Sequence, residues 1–418
     1  MNPIDIDAAT PLLGGLTPAT FMRRHWQKKP LLVRQAVPMA KPFVGRAELF
    51  ALAAGEGVES RLIVRHGKDW SLRHGPFARR ALPPLTQSQW SLLVQGMDLH
   101  LGLARDMLER FRFVPDARLD DVMVSYATDG GGVGPHFDSY DVFLLQIHGS
   151  RRWRIGRLPR PELQPDVPLK ILTNFVAEQE WLLEPGDMLY LPPRWAHDGI
   201  AEGECMTCSI GFRSAGAREL GRELLQRALD SDEDEAGDTI YRDPAQEATS
   251  APGRIPVALH AFGLDAMRAW LERQGGFDLA LGEVLSEPKP GVWFDAGAPL
   301  PRGCAARLDR RTRMIYDKRH VFINGEAFRA GGRDATLMRR LADRRQLDAA
   351  RMASLSADAL AQEVPQARWM AVRPALHFDT RSLLYTLPKA RRWFWDTFNR
   401  NRWMFAWALL GTLALNLF

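Results

Sequence analysis

A series of short strand-like segments between Leu119 and Phe212 most limits the fold that this chain can adopt. The segments DDVMVSYAT, DVFLLQIHG, RRWRIG, EWLLEPGDMLYLP and CMTCSIGF are rich in branched and aromatic residues, and Gly, Pro and Asp turns separate them. Many short strands with turns at this spacing are typical of a sandwich or barrel. We therefore expect the middle of the chain to fold as a β-barrel.

The segments that flank this barrel have other patterns. The chain has 418 residues, 46% of them hydrophobic, which is enough for two or three domains with separate cores. Residues 1–118 mix helical patterns with short strands and are predicted to form an N-terminal shoulder, so that one domain spans 1–213 around a core at 100–213. There follow a helical segment at 214–290, an α+β pattern typical of a winged helix at 291–373, and a basic, aromatic tail at 374–418. The predicted fold class is therefore α+β.

Two histidines and one aspartate in the barrel segment have the composition of a metal site. His136 and Asp138 are two residues apart, so on a strand both side chains face the same way, and His197 comes from a later strand. Two imidazoles and one carboxylate are the protein ligands of non-heme Fe(II) sites, which keep positions open for substrate and dioxygen. Asp198 follows the last histidine, and strand alternation turns it to the other face. We therefore predict His136, Asp138 and His197 as iron ligands and catalytic residues.

The segment from about residue 100 to 213 resembles the JmjC-type, cupin-fold oxygenases that use 2-oxoglutarate, and within them the bacterial ribosomal oxygenases. The motif GPHFD, the pattern VF-x-x-Q and the basic residues before Trp153 carry this resemblance, which extends over about residues 1–372. It implies a double-stranded β-helix barrel that works with Fe(II), with 2-oxoglutarate as cosubstrate and with O2.

The resemblance also implies a cation fifteen positions after the first ligand, to hold the distal carboxylate of 2-oxoglutarate. Arg151 stands at that position. A guanidinium suits this role because it grips a carboxylate through two parallel charge-assisted hydrogen bonds. The neighbouring Arg152 has the opposite parity, only one of the two can face the barrel interior, and the residues alone leave the choice open. The resemblance favours Arg151.

Four further residues are candidates for binding small molecules or substrate. Ser125 and Ser209 lie on predicted strands and could add a hydroxyl to the cosubstrate site, although packing and backbone hydrogen bonding explain them as well. Asp129 and Tyr140 flank the metal motif, where a carboxylate and a phenol would suit a cationic or polar substrate. An exposed acid in a turn is the alternative for Asp129.

The resemblance implies a ribosomal protein as substrate, with an arginine of large-subunit ribosomal protein sixteen hydroxylated at its β-carbon. Two alternatives stay open. One is a JmjC-type hydroxylase or demethylase of another protein. The other is a non-catalytic cupin and winged-helix module that binds nucleic acid.

Two segments suggest partners. Residues 214–290 resemble the dimerisation segment of the family, and ALHAFGLDAMRAWL has the apolar spacing of a helix that buries one face, which predicts a homodimer. Between Arg302 and Arg345 thirteen Lys and Arg stand against five Asp and Glu, whereas the net charge of the whole chain is only +5. Such a basic winged helix could contact the ribosome or RNA, or it could be a solvated face.

The cysteines and the chain ends suggest a cytoplasmic protein. Three cysteines give no disulfide framework, and Cys205 and Cys208 should lie on opposite faces of one strand, where they cannot bind one metal. The first fifteen residues lack the basic and apolar regions of a secretory signal. Trp403–Phe418 carries no charge but is shorter than the about 20 residues of a spanning helix. A helix docked on the protein, a helix at a membrane surface and a tail anchor all stay open for it.

Overall fold

The computed structural model describes residues 4–38, 42–230, 240–244, 253–272, 276–292, 294, 305–329, 331–355 and 369–371. The chain divides into two compact units, residues 1–285 and 286–418. The four-part division predicted from the sequence is finer than this, and its inner boundaries stay a prediction.

One large antiparallel sheet dominates the first unit, in the region where the sequence predicts a barrel. Its strands follow the order β1-β9-β7-β10-β5-β4-β2-β3, with β6 paired to β10 and β8 paired to β7. Their bounds are β1 Leu31–Val33, β2 Ser60–His66, β3 Asp69–His74, β4 Trp90–Val94, β5 Leu119–Ala127, β6 His136–Phe137, β7 Val142–Arg157, β8 Gln179–Leu183, β9 Met188–Leu191 and β10 Trp195–Phe212. The short strands of the shoulder, β1 to β4, therefore extend the sheet of the barrel.

The strands β7 and β10 pair along almost their whole lengths and form the centre of the sheet. The sequence predicts two strands, DVFLLQIHG and RRWRIG, where the structure has the single strand β7. The break between them is a bulge at Gly149, which has a positive φ of 58°. EWLLEPGDMLYLP, in contrast, is split into β8 and β9, because Asp187 accepts a hydrogen bond from the backbone N–H of Glu184 and closes a turn.

The main hydrophobic core lies between this sheet and the helices of the N-terminal shoulder. These helices are α1 Pro18–Arg24, α2 Arg46–Ala53, α3 Met97–His100 and α4 Gly102–Glu109. Phe21, Phe111 and Phe143 are fully buried in this core. A second cluster, which contains Val142, Trp153 and other apolar side chains from β7, β8 and β9, packs on the other face of β7.

Three helices follow the sheet. They are α5 Ala217–Asp230, α6 Val257–Glu272 and α7 Gly276–Ser286. On α6, the side chains of Val257, Leu259, Leu264 and Met267 are all more than 40% exposed. Val257, Leu264 and Met267 lie on one side of the helix and form an exposed apolar surface.

The second unit has the elements of a winged helix. Its strands and helices are β11 Ala306–Leu308, β12 Met314–Tyr316, β13 His320–Ile323, β14 Glu326–Arg329, α8 Gly332–Arg344, β15 Gln346–Leu347, α9 Ala349–Met352 and β16 Trp369–Ala371. The segment RMIYDKRHVFING forms two strands, because Asp317 accepts hydrogen bonds from the backbone N–H groups of Arg319 and His320 and turns the chain. Asn324 and Gly325 both have positive φ, as a tight turn between β13 and β14 requires.

The predicted apolar tail, Trp403–Phe418, lies outside the described residues. Within the ranges that the structure describes, no helix has both the length and the apolar character needed to cross a membrane.

Candidate active site

The three predicted metal ligands lie together. His136 on β6 and His197 on β10 are partners in the strand register, and the centroids of their rings are 4.3 Å apart. Asp138 follows β6 directly, and its Oδ2 lies 3.7 Å from Nε2 of His197. One donor atom from each residue lies within 4.8 Å of the other two. Three donors at such distances enclose the space of one divalent cation, whose bonds to N and O ligands are about 2.0–2.2 Å long.

Backbone carbonyl groups orient both imidazoles. Nδ1 of His136 lies 2.8 Å from the carbonyl oxygen of Gly134, and Nδ1 of His197 lies 2.9 Å from that of Trp195. When each Nδ1–H donates to its carbonyl, Nε2 keeps its lone pair for a metal ion. The tautomer that binds metal is therefore fixed by contacts within each short segment.

The protonation state of His197 also suits a metal ligand. The pKa of His197 is lowered to about 4, mainly by burial and also by the neighbouring His136, while Asp138 acts in the opposite direction. The imidazole is therefore neutral at neutral pH, which is the form that coordinates metal.

Arg151 lies on the interior side of β7 and is 5% exposed. Its Nη1 donates to Oγ of Ser125 at 3.3 Å, and its Nε lies 3.4 Å from Sγ of Cys205. Among the described residues, its buried Nη2 has no hydrogen-bond partner. A buried guanidinium with one free donor edge fits a carboxylate that enters from outside the protein.

Arg152 points the other way. It forms ion pairs with Glu180 at 2.8 Å and Glu202 at 2.5 Å on the outer face of the sheet. Asp198, next to the last ligand, also faces outward and pairs with Arg154. The placement of Asp198 agrees with strand alternation, and that of Arg152 agrees with the choice of Arg151 that the resemblance favours.

The two candidate serines differ in their contacts. Ser125 touches Arg151 and donates to the backbone carbonyl of Thr207 at 3.4 Å. Ser209 is buried two residues beyond Thr207 on β10. The structure thus places Ser125 directly beside Arg151, while a role for Ser209 stays a prediction.

The two predicted substrate-binding residues lie in different surroundings. Asp129 accepts a hydrogen bond of 2.8 Å from the backbone N–H of Gly203, so it braces the loop against β10. Tyr140 is 38% exposed, and the pKa of its phenol is raised by desolvation of the hydroxyl and by the nearby Asp138 carboxylate. Both substrate roles stay predictions.

The sequence reasoning missed a buried glutamine that holds the bulge preceding Arg151. Nε2 of the fully buried Gln146 donates to the carbonyl oxygens of His148 and Gly149 at 2.8 and 3.0 Å, and its Oε1 accepts from Thr207 at 2.8 Å. These bonds hold the bulge of β7. A glutamine at the end of the apolar run VFLLQ, followed by His-Gly, is the sequence signal for it.

The two cysteines of the C-x-x-C are buried on different faces of β10. Cys205 contacts Arg151, whereas Cys208 belongs to the main core with Phe143. Burial raises the pKa of the Cys208 thiol. This agrees with the expectation that the pair does not bind one metal.

Comparisons with known proteins point in one direction. The JmjC domain family matches residues 106–220, and the ROXA-like winged helix family matches residues 280–368. The ribosomal protein uL16 3-hydroxylase of Escherichia coli is 38% identical over 240 residues, which are 56% of this chain and 62% of that relative, less than two thirds of its length.

Solved structures of YcfD, a ribosomal oxygenase from Escherichia coli, cover more of the chain. The complex with cobalt and succinic acid is 30% identical, covers 83% of this chain and 93% of its own, and has a TM-score of 0.69. The complex with cobalt and 2-oxoglutarate is 29% identical, covers 85% of this chain and 98% of its own, and has a TM-score of 0.72. These likenesses confirm the predicted cupin fold and winged helix.

Proposed function

Because this chain belongs to the family of ribosomal oxygenases with a JmjC domain, we propose that it is a 2-oxoglutarate-dependent dioxygenase that hydroxylates a ribosomal protein. One observation carries this proposal. The cluster of His136, Asp138 and His197 occurs together with Arg151, a buried cation on the interior face that has a free donor edge. A metal site alone would fit many proteins, whereas a metal site with a receptor for a dicarboxylate fits this class.

The residues fit Fe(II) and 2-oxoglutarate. His136, Asp138 and His197 would hold the iron, and Arg151 with Ser125 would hold the distal carboxylate of the cosubstrate. When bound, iron and cosubstrate supply the oxidising power: one atom of O2 enters succinate as CO2 is released, and the other converts a substrate C–H bond to C–OH. The protein needs no nucleophile or general base for this reaction, so its main contribution is to position the reactants.

The substrate that we propose is an arginine of ribosomal protein uL16, hydroxylated at its β-carbon. The name of the Escherichia coli relative supports uL16 and a 3-hydroxylation. Asp129 and Tyr140 would receive the guanidinium, because a carboxylate oxygen and a phenol both suit a planar cation. The bond from Gly203 leaves lone pairs of the Asp129 carboxylate available.

The test is a reaction of the full chain with Fe(II), ascorbate, 2-oxoglutarate, O2 and purified uL16. We expect uL16 to gain the mass of one oxygen atom on one arginine, with succinate formed in equal amount. His136→Ala should abolish both products, whereas Arg152→Ala, which changes an outward arginine, should preserve them. A wild-type chain that binds cosubstrate but modifies no ribosomal protein would contradict the proposed substrate class.

The same experiment separates the alternatives. Loss of a methyl group from a methylated lysine would indicate a demethylase. This alternative is considered because a 26% identical relative from Drosophila persimilis is named a bifunctional lysine-specific demethylase and histidyl-hydroxylase. Absence of any succinate, with nucleic-acid binding intact, would indicate a non-catalytic module.

We also propose that two copies of the chain form a homodimer through α6. The exposed side chains of Val257, Leu264 and Met267, which share one side of this helix, support the proposal, since single exposed apolar residues are common but three on one side of a helix are not.

The winged helix supplies a further contact, with ribosomal RNA. Lys318, Arg319, Arg329 and Arg333 are exposed on this unit, in a region where basic residues outnumber acidic ones. When such side chains neutralise phosphates, the counterions of the RNA are released, and added salt makes this release less favourable. The logarithm of the binding constant for an RNA duplex should therefore fall linearly with the logarithm of the salt concentration. Binding that does not depend on these four residues would contradict this contact.

We propose that the protein acts in the cytoplasm, because ribosomes and the proposed substrate are found there. Attachment to the cytoplasmic membrane through residues 403–418 is the alternative. Fractionation of cells that make the full chain, compared with a chain that ends at residue 372, distinguishes the two.

A further inference from the structure

A second buried donor near Arg151 has no partner. The indole of Trp153 on β7 is 5% exposed, and among the described residues its Nε1–H finds no hydrogen-bond acceptor. Buried tryptophan N–H groups are usually satisfied, because an unsatisfied buried donor costs about 1–3 kcal/mol. The orphaned N–H therefore indicates an acceptor that comes from outside the protein.

Trp153 lies between the two ends of the proposed cosubstrate site. Cζ of Arg151 lies 5.8 Å from the centroid of the indole ring on one side, and the ring of His197 lies 5.9 Å away on the other. A molecule that reaches from the metal ligands to Arg151 therefore passes along this indole.

Neighbouring strands hold the ring in this place. Trp153 and Gly199 are partners in the register of β7 and β10. A Cβ atom at Gly199 would lie 2.7 Å from two carbons of the indole, so only glycine at this position leaves room for the ring. The six-membered ring of the indole thus packs against the backbone of β10 at Gly199.

We infer that the indole N–H of Trp153 donates a hydrogen bond to the distal carboxylate of 2-oxoglutarate, beside Arg151. This inference rests on the proposed function. Two donors of Arg151 already face Ser125 and Cys205, which leaves Nη2 for the ligand. A carboxylate has two oxygens to satisfy, and Trp153 provides the second donor. Since indole is a donor only, it favours an anion at every physiological pH.

The test measures binding in the absence of turnover. Wild-type chain and Trp153→Phe are loaded with Mn(II), and the affinities for 2-oxoglutarate and for 2-oxobutyrate are determined by calorimetry. The second ligand has the same ketoacid end but lacks the distal carboxylate. We expect Trp153→Phe to weaken the binding of 2-oxoglutarate about 10- to 100-fold, as the loss of a hydrogen bond to a charged group implies. The affinity for 2-oxobutyrate should stay unchanged.

Trp181→Phe is the matched control. Trp181 packs in the same apolar cluster, opposite Trp153 in the register of β7 and β8, and its replacement should leave both affinities unchanged. Equal weakening of both ligands by Trp153→Phe, or no weakening of either, would overturn the inference. A wild-type chain that fails to bind 2-oxoglutarate would instead contradict the proposed function.

An isosteric replacement covers the case in which the phenylalanine variant does not fold. 3-Benzothienylalanine, introduced only at position 153, keeps the shape of indole and replaces the N–H with sulfur. We expect the same selective loss of 2-oxoglutarate affinity as for phenylalanine. Wild-type affinity with this side chain would show that the N–H contributes nothing and would overturn the inference.

Discussion

Arg151 is a cation buried beside a thiol and a hydroxyl, and within the part of the chain that the structure describes it pairs with no carboxylate. Burial of a charge without a counterion is unfavourable, so a bound dicarboxylate would stabilise the protein as well as react in it. Thermal stability of the metal-loaded chain should accordingly rise with 2-oxoglutarate concentration. The negative charge of the bound ligand would thus neutralise the buried positive charge of Arg151.

Replacement of Arg151 by lysine tests the geometry of this pairing. A lysine keeps the charge but offers no planar fork, so Arg151→Lys should weaken the binding of 2-oxoglutarate by about 1.5–3 kcal/mol. The KM for 2-oxoglutarate should therefore rise more than kcat at saturation falls. Binding titrations and steady-state kinetics measure the two effects. Arg152→Lys is the matched control and should behave as wild type, because Arg152 faces outward. An equal loss from both variants would argue against a specific role for Arg151.

Replacement of Gly199 tests how tightly the indole ring of Trp153 is packed. In Gly199→Ala the new Cβ would meet the indole at 2.7 Å, and the ring has little room to move. We expect a loss of about 1–3 kcal/mol in the free energy of unfolding, measured by urea denaturation. Gly57→Ala serves as control, because a Cβ there meets nothing within 4 Å. Equal stability of the two variants would show that the ring is not confined.

At the scale of elements, the bulge of β7 decides which arginine enters the site. Before the bulge, the even-numbered Val142 and Leu144 belong to the second apolar cluster, which contains Trp153. After the bulge, the odd-numbered Trp153 and Ile155 belong to it. The irregular pairing of β7 with β10 at the bulge therefore reverses the alternation. Without it, Arg152 would face the cosubstrate and Arg151 would face solvent.

This reversal explains which parts of the site could be predicted from the sequence. Strand alternation predicts that His136 and Asp138 share a face, because they lie two residues apart with no bulge between them. The same rule leaves Arg151 and Arg152 undecided, since the bulge depends on Gln146 and Thr207, sixty-one residues apart in the chain. The β-rich middle, the winged helix and the clustering of the three ligands follow from local patterns. The single strand β7, the split of β8 from β9 and the orphaned N–H of Trp153 depend on tertiary contacts.

Gly149→Ala should disturb this bulge. The residue has a positive φ, and an added Cβ would lie 2.1 Å from the backbone oxygen of Glu204. We expect a loss of about 1–3 kcal/mol in stability together with weaker 2-oxoglutarate binding, measured by denaturation and calorimetry. Gly203→Ala is the matched control, because Gly203 also has a positive φ but its Cβ would meet nothing within 4 Å. If both variants bind cosubstrate like wild type, the bulge does not set the orientation of Arg151.

At the scale of the whole molecule, the exposed face of α6 predicts how copies of the chain associate. Leu264 and Met267 lie three residues apart on one side of the helix and are 46% and 49% exposed. Burial of such side chains in a homodimer removes apolar surface from water, which contributes roughly 25 cal/mol per Å2. The α6 face is thus the surface on which the proposed dimer depends.

The double variant Leu264→Glu and Met267→Glu should be a monomer, because four charges would have to be buried across a symmetric interface. Light scattering during size-exclusion chromatography measures the mass. Leu163→Glu, which changes an exposed leucine elsewhere, is the control and should keep the wild-type mass. A monomeric wild type, or a double variant that remains dimeric, would exclude α6 as the interface.

The N-terminal shoulder also determines where the chain can be cut. Gln27 donates from its side chain to Asp141 and from its backbone to Tyr190, while Phe21 packs against Phe143. Asp141 is fully buried and stands three residues after Asp138. An expression fragment trimmed to the JmjC match at 106–220 would lose these partners, expose a carboxylate and several aromatic rings, and aggregate before it could be assayed.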